Sequence, residues 1–204
     1  MNNTPLTVRE IHGPYVQLLT NLQGKNGRMW LDALNRFNRM ENPFEKKTIS
    51  IERVSTFDPV AFIGNGWSIV EQDERSLKLS EVDLSKVSLE TMLKGPEGSL
   101  LKGNESDVFG EEKLKRLKDA GHIRLDAKVL QTVLENRCLI PESWKNKTKG
   151  NITCIFFDGT ILQDSNGNRY VLCLYWHDGK WNWNEHRWLG GNWFASDPSA
   201  VLKS

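Results

Sequence analysis

The sequence predicts an α+β protein with three regions: an N-terminal helical hairpin (residues 1–45), a mixed α/β region (46–149) and a C-terminal antiparallel, Trp-rich β meander (150–204). Apolar residues recur at helical spacing near the N-terminus, and they alternate with polar residues from about Lys47 onward. Closely spaced turn dipeptides then divide the C-terminal region into short aromatic segments. The chain is also short enough for the three regions to share one domain.

Two amphipathic stripes predict the helical hairpin. The first helix is expected to begin near Pro14, because a proline in the first turn loses no hydrogen bond, and to end near Gly24. Its apolar stripe is Tyr15, Leu18, Leu19 and Leu22. The stripe of the second helix is Trp30, Ala33, Leu34, Phe37 and Met40. Each helix has a single apolar stripe, so the two are expected to pack together and against another element.

The central region changes from strand to helix patterning. Alternation predicts strands around 49–51 and 67–70, and one or two more within 77–89. Residues 94–107 are rich in Gly, Pro, Ser and Asn, which predicts a long loop. Charge patterning predicts a helix over 111–120.

A second central helix should follow Asp126, which is suited to cap it, and Pro141 should close it. The two helices are joined through 121–125, loosely like a helix-turn-helix. Residues 145–150 form a polar, basic connector, where we place the weakest domain boundary.

Four dipeptides predict the turns of the meander: Asp158-Gly159, Asn166-Gly167, Asp178-Gly179 and Gly190-Gly191. The segments predicted as strands are 152–157, 169–176, 180–184, 186–189 and 192–195.

Composition and charge are those of an ordinary soluble protein. The net charge of +1 gives no electrostatic footprint of a dedicated nucleic-acid binder or a membrane-surface protein. No secretory signal or apolar span of membrane length is visible. Cys138, Cys154 and Cys173 are widely spaced, which favours reduced thiols and a cytoplasmic location. No cofactor motif occurs, so no cofactor and no metal site is predicted.

A cluster of five tryptophans is the leading candidate for a ligand surface: Trp176, Trp181, Trp183, Trp188 and Trp193. Two interpretations remain open. The indoles can form the core of a thin sheet, or some of them can form an exposed stacking platform for a small molecule, a carbohydrate or a protein. Together with the absence of well-marked catalytic motifs, the cluster favours a non-catalytic binding or interaction protein, although an enzyme is not excluded.

A basic segment supports an alternative, nucleic-acid binding. Between residues 110 and 149 there are ten Lys/Arg and six Asp/Glu, a net charge of +4. The candidate contacts are Lys113, Lys115, Arg116, Lys118, Lys145, Lys147 and Lys149. However, Glu111 and Glu112 precede Lys115 and Arg116 at i, i+4, which is typical of a solvated helix. The second helix carries only one cation before Arg137.

A third hypothesis is a hydrolase that uses Asp158, His177 or His186. The run 155–161 resembles the first motif of the haloacid-dehalogenase-like phosphatases, in which an apolar strand ends in Asp-x-Asp-Gly-Thr. That resemblance would make Asp158 the general acid, but Phe156 stands where the nucleophilic aspartate is required. A tight turn at Asp158-Gly159 is therefore the preferred interpretation.

Several runs resemble short bacterial proteins of uncharacterised function: 66–71, 140–144, 155–160, 169–172 and 197–202. The resemblance covers most of the chain and implies a bacterial cytoplasmic protein of about this length. It brings no activity, ligand or site residue with it.

Overall fold

The computed structural model describes residues 8–24, 27–38, 47–91, 105, 107–146, 152–194 and 196–203. They belong to two compact units, Met1–Lys46 and Lys47–Ser204. Helices and sheets are both present, so the α+β class is confirmed. Most of the predicted loop over 94–107 and of the connector over 145–150 lies outside the described residues.

The helices are α1 (Val8–Gln23), α2 (Gly27–Asn38), α3 (Pro59–Phe62), α4 (Glu74–Leu77), α5 (Gly110–Asp119) and α6 (Ala127–Glu135), followed by 3₁₀ turns at Arg137–Leu139 and Glu142–Lys145. The strands are β1 (Thr48–Ser50), β2 (Ser68–Gln72), β3 (Glu81–Asp83), β4 (Ser88–Glu90), β5 (Asp107–Phe109), β6 (Ile123–Arg124), β7 (Ile155–Gln163), β8 (Arg169–His177), β9 (Lys180–Trp188), β10 (Asn192–Phe194) and β11 (Ser199–Leu202).

The first unit contains α1 and α2, which contact each other. The predicted start of the first helix is wrong, because α1 begins at Val8 and continues through Pro14. An internal proline removes one intrahelical hydrogen bond, so this extension is not a preference of the local sequence. Leu18 and Leu22 are half-buried, whereas Tyr15 remains exposed.

Strand β7 organises the main sheet of the second unit. Strand β8 pairs with one edge of β7 in the antiparallel direction. On the other edge, β11 runs parallel to β7 at Phe156, and β2 pairs antiparallel with its second half from Thr160 to Gln163. Strands β4 and β6 both pair with β11, and β9 pairs with β8. Central and C-terminal segments therefore share one sheet.

The predicted turn at Asp158-Gly159 is wrong, because both residues lie inside β7. The Gly159 N–H donates to the Leu125 carbonyl at 3.0 Å, and the Gly159 carbonyl accepts from the Asp73 N–H at 2.7 Å. A Cβ at Gly159 would lie 2.1 Å from the Arg124 carbonyl oxygen. The glycine thus permits close approach of a neighbouring backbone instead of supplying a turn.

The predicted turns at Asn166-Gly167 and Asp178-Gly179 connect β7 to β8 and β8 to β9. Gly167 has φ +84°, and Asp178 and Gly179 have φ +49° and +73°, the left-handed conformation that such turns need. The segments predicted separately as 180–184 and 186–189 belong almost entirely to the single strand β9.

The helix-turn-helix interpretation is also corrected. The segment between α5 and α6 contains β6, which pairs with β11 at Val201 and Leu202. A strand fixed in the main sheet therefore stands where the motif requires only a turn. The predicted cap is present, since the Asp126 carboxylate accepts the Val129 N–H at 3.0 Å.

Both faces of the main sheet carry a buried apolar cluster. Leu172 and Leu174 of β8 belong to the larger cluster, together with residues of α6. Val171 and Cys173 of the same strand belong to the second cluster, together with Leu114 of α5. The period-two alternation of a strand therefore assigns neighbouring residues of β8 to different cores.

We expect Gly159→Ala to lower the free energy of unfolding by at least about 3 kcal/mol, because the new methyl group would overlap a neighbouring backbone carbonyl. Urea unfolding measures the change. The matched control is Gly13→Ala in α1, where a Cβ meets nothing within 4 Å and stability should stay within about 1 kcal/mol. Equal stability of the two variants would contradict the close approach at Gly159.

Candidate functional site

The structure gives the five clustered tryptophans different environments. Trp181 and Trp193 are buried, with 4% and 1% of their surface exposed. Trp176 and Trp183 are half-buried and pack against the larger cluster. Trp188 is 49% exposed. Of the five, Trp188 therefore presents the most surface to a ligand.

Contacts within the protein account for the position of the other four indoles. Trp176 and Trp181 meet edge to face at 5.3 Å, and Trp183 contacts Phe62 at 4.5 Å. Trp193 packs against Phe156 at 4.5 Å, and its Nε1–H donates to a backbone carbonyl of β9 at 3.0 Å. These rings have the partners expected of core aromatics.

The Trp188 indole packs against the turn at Gly190 and Gly191. A Cβ at Gly190 would lie 2.5 Å from ring atom Cζ2 and 2.6 Å from Cε2, and a Cβ at Gly191 would lie 3.5 Å from Cε3. Cζ2 and Cε3 are opposite corners of the six-membered ring, so the turn backbone crosses one face of the indole. About half of the Trp188 surface remains exposed to solvent beside this contact.

Trp188 is part of a line of three aromatic side chains across the sheet. It stands directly opposite Tyr170 in the β8–β9 ladder, so both side chains lie on the same face. The Tyr170 ring meets Trp67 edge to face at 5.2 Å. Trp67 and Tyr170 are both half-buried. We call Trp67, Tyr170 and Trp188 the aromatic row.

Hydrogen-bonding groups of the β7–β8 turn border the aromatic row. The Tyr170 hydroxyl donates to Asp164 Oδ2 at 3.3 Å. Asp164 Oδ1 accepts the backbone N–H groups of Asn166 and Asn168, each at 2.9 Å. The loop that precedes β2 lies next to this turn, since a Cβ at Gly66 would lie 3.8 Å from the Ser165 Cβ.

Two opposite pKa shifts define the ionisation of this border. Partial desolvation raises the pKa of Asp164, but hydrogen bonds from Asn168 and Asn166 outweigh it and lower that pKa overall, so the carboxylate is ionised at neutral pH. Partial burial and the neighbouring Asp164 charge raise the pKa of Tyr170, so its hydroxyl keeps its proton. The border thus offers an anionic acceptor beside a neutral phenol.

Sequence reasoning missed Trp67 and Tyr170, because their relation to Trp188 depends on the pairing of distant strands. The Asn166-Gly167 turn signal could have aligned Tyr170 with β7, as the turn fixes the register of that hairpin. No local signal places Trp67 beside Tyr170, since β2 is about a hundred residues away along the chain.

The basic segment is largely engaged in internal pairing. Lys113 is fully buried, and its ammonium donates to the Asp197 carbonyl at 2.7 Å. Arg116 is 8% exposed and pairs with Glu105 at 2.6 Å and with Glu112 at 2.8 Å. Neither cation is presented to a phosphate in this conformation.

The remaining predicted nucleic-acid contacts are scattered. Lys118 pairs with an acid of β2 at 2.7 Å, and Lys145 pairs with an acid three positions earlier at 2.6 Å. Lys115 is exposed on α5. Lys147 and Lys149 lie outside the described residues.

Two residues of the hydrolase hypothesis, Asp158 and His177, are not brought together. Asp158 is 1% exposed inside β7, where Ser199 Oγ donates to its Oδ2 at 2.5 Å. His177 is exposed and pairs with Asp178 at 3.3 Å. Phe157, the neighbour of Asp158 on β7, lies opposite Leu172 of β8. His177 is five residues further along β8, a distance of roughly 16 Å. The side chain of His186 is not among those described.

Asp158 belongs to a buried cluster of charged residues that includes Arg124 of β6. Burial raises the pKa of this carboxyl against the attractions of Lys113 and Arg124 and the Ser199 hydrogen bond. The Arg124 guanidinium donates to the Asp158 backbone carbonyl at 2.6 Å and lies 3.5 Å from the Asp73 carboxylate. Within the described part of the chain, Asp158 Oδ1 has no hydrogen-bond partner.

None of the helices among the described residues is long and apolar enough to cross a membrane. Among the same residues, no group of three or more His, Cys, Asp or Glu side chains is placed to hold a metal ion.

Comparison with known proteins adds no relative: no family model, no curated protein and no solved structure matches this chain.

We expect Trp181→Ala and Trp188→Ala to differ sharply in stability. Loss of the buried Trp181 ring should lower the free energy of unfolding by about 3–5 kcal/mol, because it leaves a cavity in the larger cluster. Loss of the half-exposed Trp188 ring should cost less, about 2 kcal/mol, because only about half of its area is removed from water. Chemical denaturation measures both values, and equal losses would contradict the different burial of the two rings.

We expect the stability of Asp158→Asn, relative to the native protein, to rise with pH. The folded state raises the pKa of Asp158, so its stabilising contribution is complete below the unfolded pKa of about 3.9 and is lost as pH rises through the folded pKa. The amide that replaces the Asp158 carboxyl group in the variant does not titrate. The other carboxylates contribute equally to the free energies of unfolding of both proteins, so their contributions cancel in the difference. Unfolding from about pH 4 to about pH 8 measures this trend.

Asp164→Asn is the matched control for that experiment. Because folding lowers the pKa of Asp164, its contribution is present above the unfolded pKa and is lost as pH falls through the folded pKa. The free energy of unfolding of the native protein should therefore increase relative to that of Asp164→Asn as pH rises. For Asp158→Asn the difference should change in the opposite direction. A pH-independent difference for Asp158→Asn would refute the raised pKa.

Proposed function

We propose that this protein is a non-catalytic binding protein whose ligand surface is the aromatic row. One observation carries the proposal: the Trp188 indole packs against the turn at Gly190 and is still 49% exposed. A large, flat ring held against backbone loses little conformational entropy on binding, which favours affinity. In this proposal the C-terminal Trp-rich meander is the binding element, and the N-terminal helical hairpin is a separate element of a bacterial cytoplasmic protein.

The burial of the reactive groups supports a non-catalytic role. Asp158 and Ser199 form the short contact that most resembles an acid–nucleophile pair, but they are 1% and 0% exposed. A substrate atom must come within hydrogen-bond distance of such groups, which burial prevents. Beside the aromatic row, Asp164 holds the β7–β8 turn through its hydrogen bonds.

Nucleic-acid binding through the basic segment is the weaker proposal. It needs a row of exposed cations, whereas Lys113 is buried and Arg116 lies between two glutamates. Lys115, which is exposed on α5, is the described residue that best fits this role.

Fluorine NMR of protein labelled with fluorotryptophan tests the main proposal, with the Trp188 resonance assigned by its loss in Trp188→Phe. Three neutral probes represent three ligand classes: methyl glucoside, N-acetylproline methylamide and adenosine. At least one probe should move the Trp188 resonance along a saturable curve and be recovered unchanged. The resonances of the buried Trp181 and Trp193 should stay in place.

Phe194→Ala is the control, because it removes an aromatic ring that is 65% exposed but belongs to the β5–β10 ribbon instead of the aromatic row. This variant should keep the saturable shift, and Tyr170→Ala should weaken it. If every probe gives a shift that is only linear in concentration, the row is not a binding site and the proposal fails.

A further inference from the structure

The loops beside the aromatic row carry hydrogen-bonding groups and a single charge. Residues 64–66 are Gly-Asn-Gly, and residues 164–168 are Asp-Ser-Asn-Gly-Asn. These loops contain short amide and hydroxyl side chains, one carboxylate and no Lys or Arg. They touch each other at Gly66 and Ser165. The row is therefore an apolar strip with a polar, weakly acidic border.

This border selects against phosphate-bearing ligands. Proteins that stack nucleobases on tryptophan combine the aromatic ring with a positively charged groove for the backbone. Here the ionised Asp164 adjoins the row through Tyr170, and its charge repels a phosphate. In the described part of the chain, the cation–π contacts place Lys113 and Lys145 at Phe156, Trp193 and Trp176, away from the row.

The same border selects against a proline-rich peptide. An ionised carboxylate only accepts hydrogen bonds, and proline has no backbone N–H to donate. Asp164 Oδ2 accepts from the Asn168 amide at 3.2 Å, within the usual N–H···O range, and from the Tyr170 hydroxyl at 3.3 Å, beyond the usual O–H···O range of about 2.5–3.0 Å. A ligand hydroxyl can donate to this carboxylate at a shorter distance than Tyr170 does.

We infer that the ligand of the aromatic row is a neutral carbohydrate chain, an assignment that rests on the proposed function. A pyranose ring has an apolar face of C–H bonds and a rim of hydroxyl groups. Its C–H bonds meet the electron-rich face of Trp188, and its hydroxyls both donate to carboxylate and accept from amide and phenol groups. The acidic border and the stacking surface are thus satisfied by one ligand.

The row extends over more than one sugar unit. The ring centroids of Trp67 and Tyr170 are 5.2 Å apart. Tyr170 and Trp188 are directly opposite each other on adjacent strands, where Cβ atoms are about 5 Å apart. Trp188 is the most exposed ring, so it provides the principal stack, with Tyr170 beside it, and the half-buried Trp67 contacts the next unit. Affinity should therefore increase with the length of the chain.

Titration with defined saccharides tests this inference, using the fluorine resonance of Trp188 and calorimetry. The probes are cellotetraose, maltotetraose and chitotetraose, with methyl glucoside as the short probe and hexaproline as the peptide probe. At least one tetrasaccharide should bind about tenfold or more tightly than methyl glucoside, and hexaproline should not bind.

Variants separate the contributions of the three rings. Trp188→Ala should weaken tetrasaccharide binding about tenfold or more, since one stacked ring is lost. Trp67→Ala should remove the gain in affinity from chain length. Tyr170→Phe keeps the ring and loses the hydroxyl, so it should weaken binding about threefold to tenfold. Phe194→Ala should bind as the native protein does.

The outcomes distinguish the inference from the proposed function. If hexaproline or adenosine gives a saturable Trp188 shift and no saccharide does, the carbohydrate assignment is overturned while the binding function stands. Saccharide affinity that is independent of length, or that survives Trp188→Ala, also overturns the assignment. If no probe of any class binds, both the assignment and the proposed function fail.

Discussion

The pairing of β7 on both of its edges is the constraint on which the rest of the second unit depends. One edge pairs with β8 alone, with a shift of register between Phe157 and Leu162, and the other is divided between β11 and β2. Such a division is possible because Gly159 lets the segment before α6 approach β7 more closely than any Cβ would permit. Segments from the middle and the end of the chain thereby enter one sheet.

The register of this sheet also positions the aromatic row. Once β7 and β8 are aligned by their turn, Tyr170 is fixed on the face that carries the larger cluster. The β8–β9 ladder then places Trp188 opposite Tyr170, and the β2–β7 ladder brings Trp67 to the same end. A one-residue slip in any of these ladders would turn a ring to the other face.

Buried charge has a structural role in this protein. Arg124 joins β6 to β7 by donating to the Asp158 carbonyl, and it faces the Asp73 carboxylate. Desolvation would raise the pKa of Asp73, but hydrogen bonds from Arg75 and from the Arg124 backbone outweigh it and keep that pKa low. Removing one partner from such a cluster leaves an uncompensated buried charge, which makes its members depend on one another.

Much of the fold was accessible from local patterns, and the site was accessible only in part. The cap at Asp126 and the φ > 0 turn residues Gly167 and Gly179 follow from properties of single residues, so the sequence indicated them. The Asp158-Gly159 dipeptide has the same composition as the Asp178-Gly179 turn, but the turn predicted at Asp158-Gly159 is wrong. The backbone groups of Gly159 pair with Leu125 and Asp73 instead of closing a hairpin.

The sequence by itself determined the α+β class and the presence of an aromatic cluster near the C-terminus, but it did not indicate α3, α4, β5, β6 or β11. Tertiary structure alone decided which of those rings are exposed. Trp181 and Trp188 have the same side chain, but one packs into a core between the sheet and its helices and the other lies on a turn of two glycines. Burial depends on strand register and on neighbours distant in sequence, which local patterns do not encode.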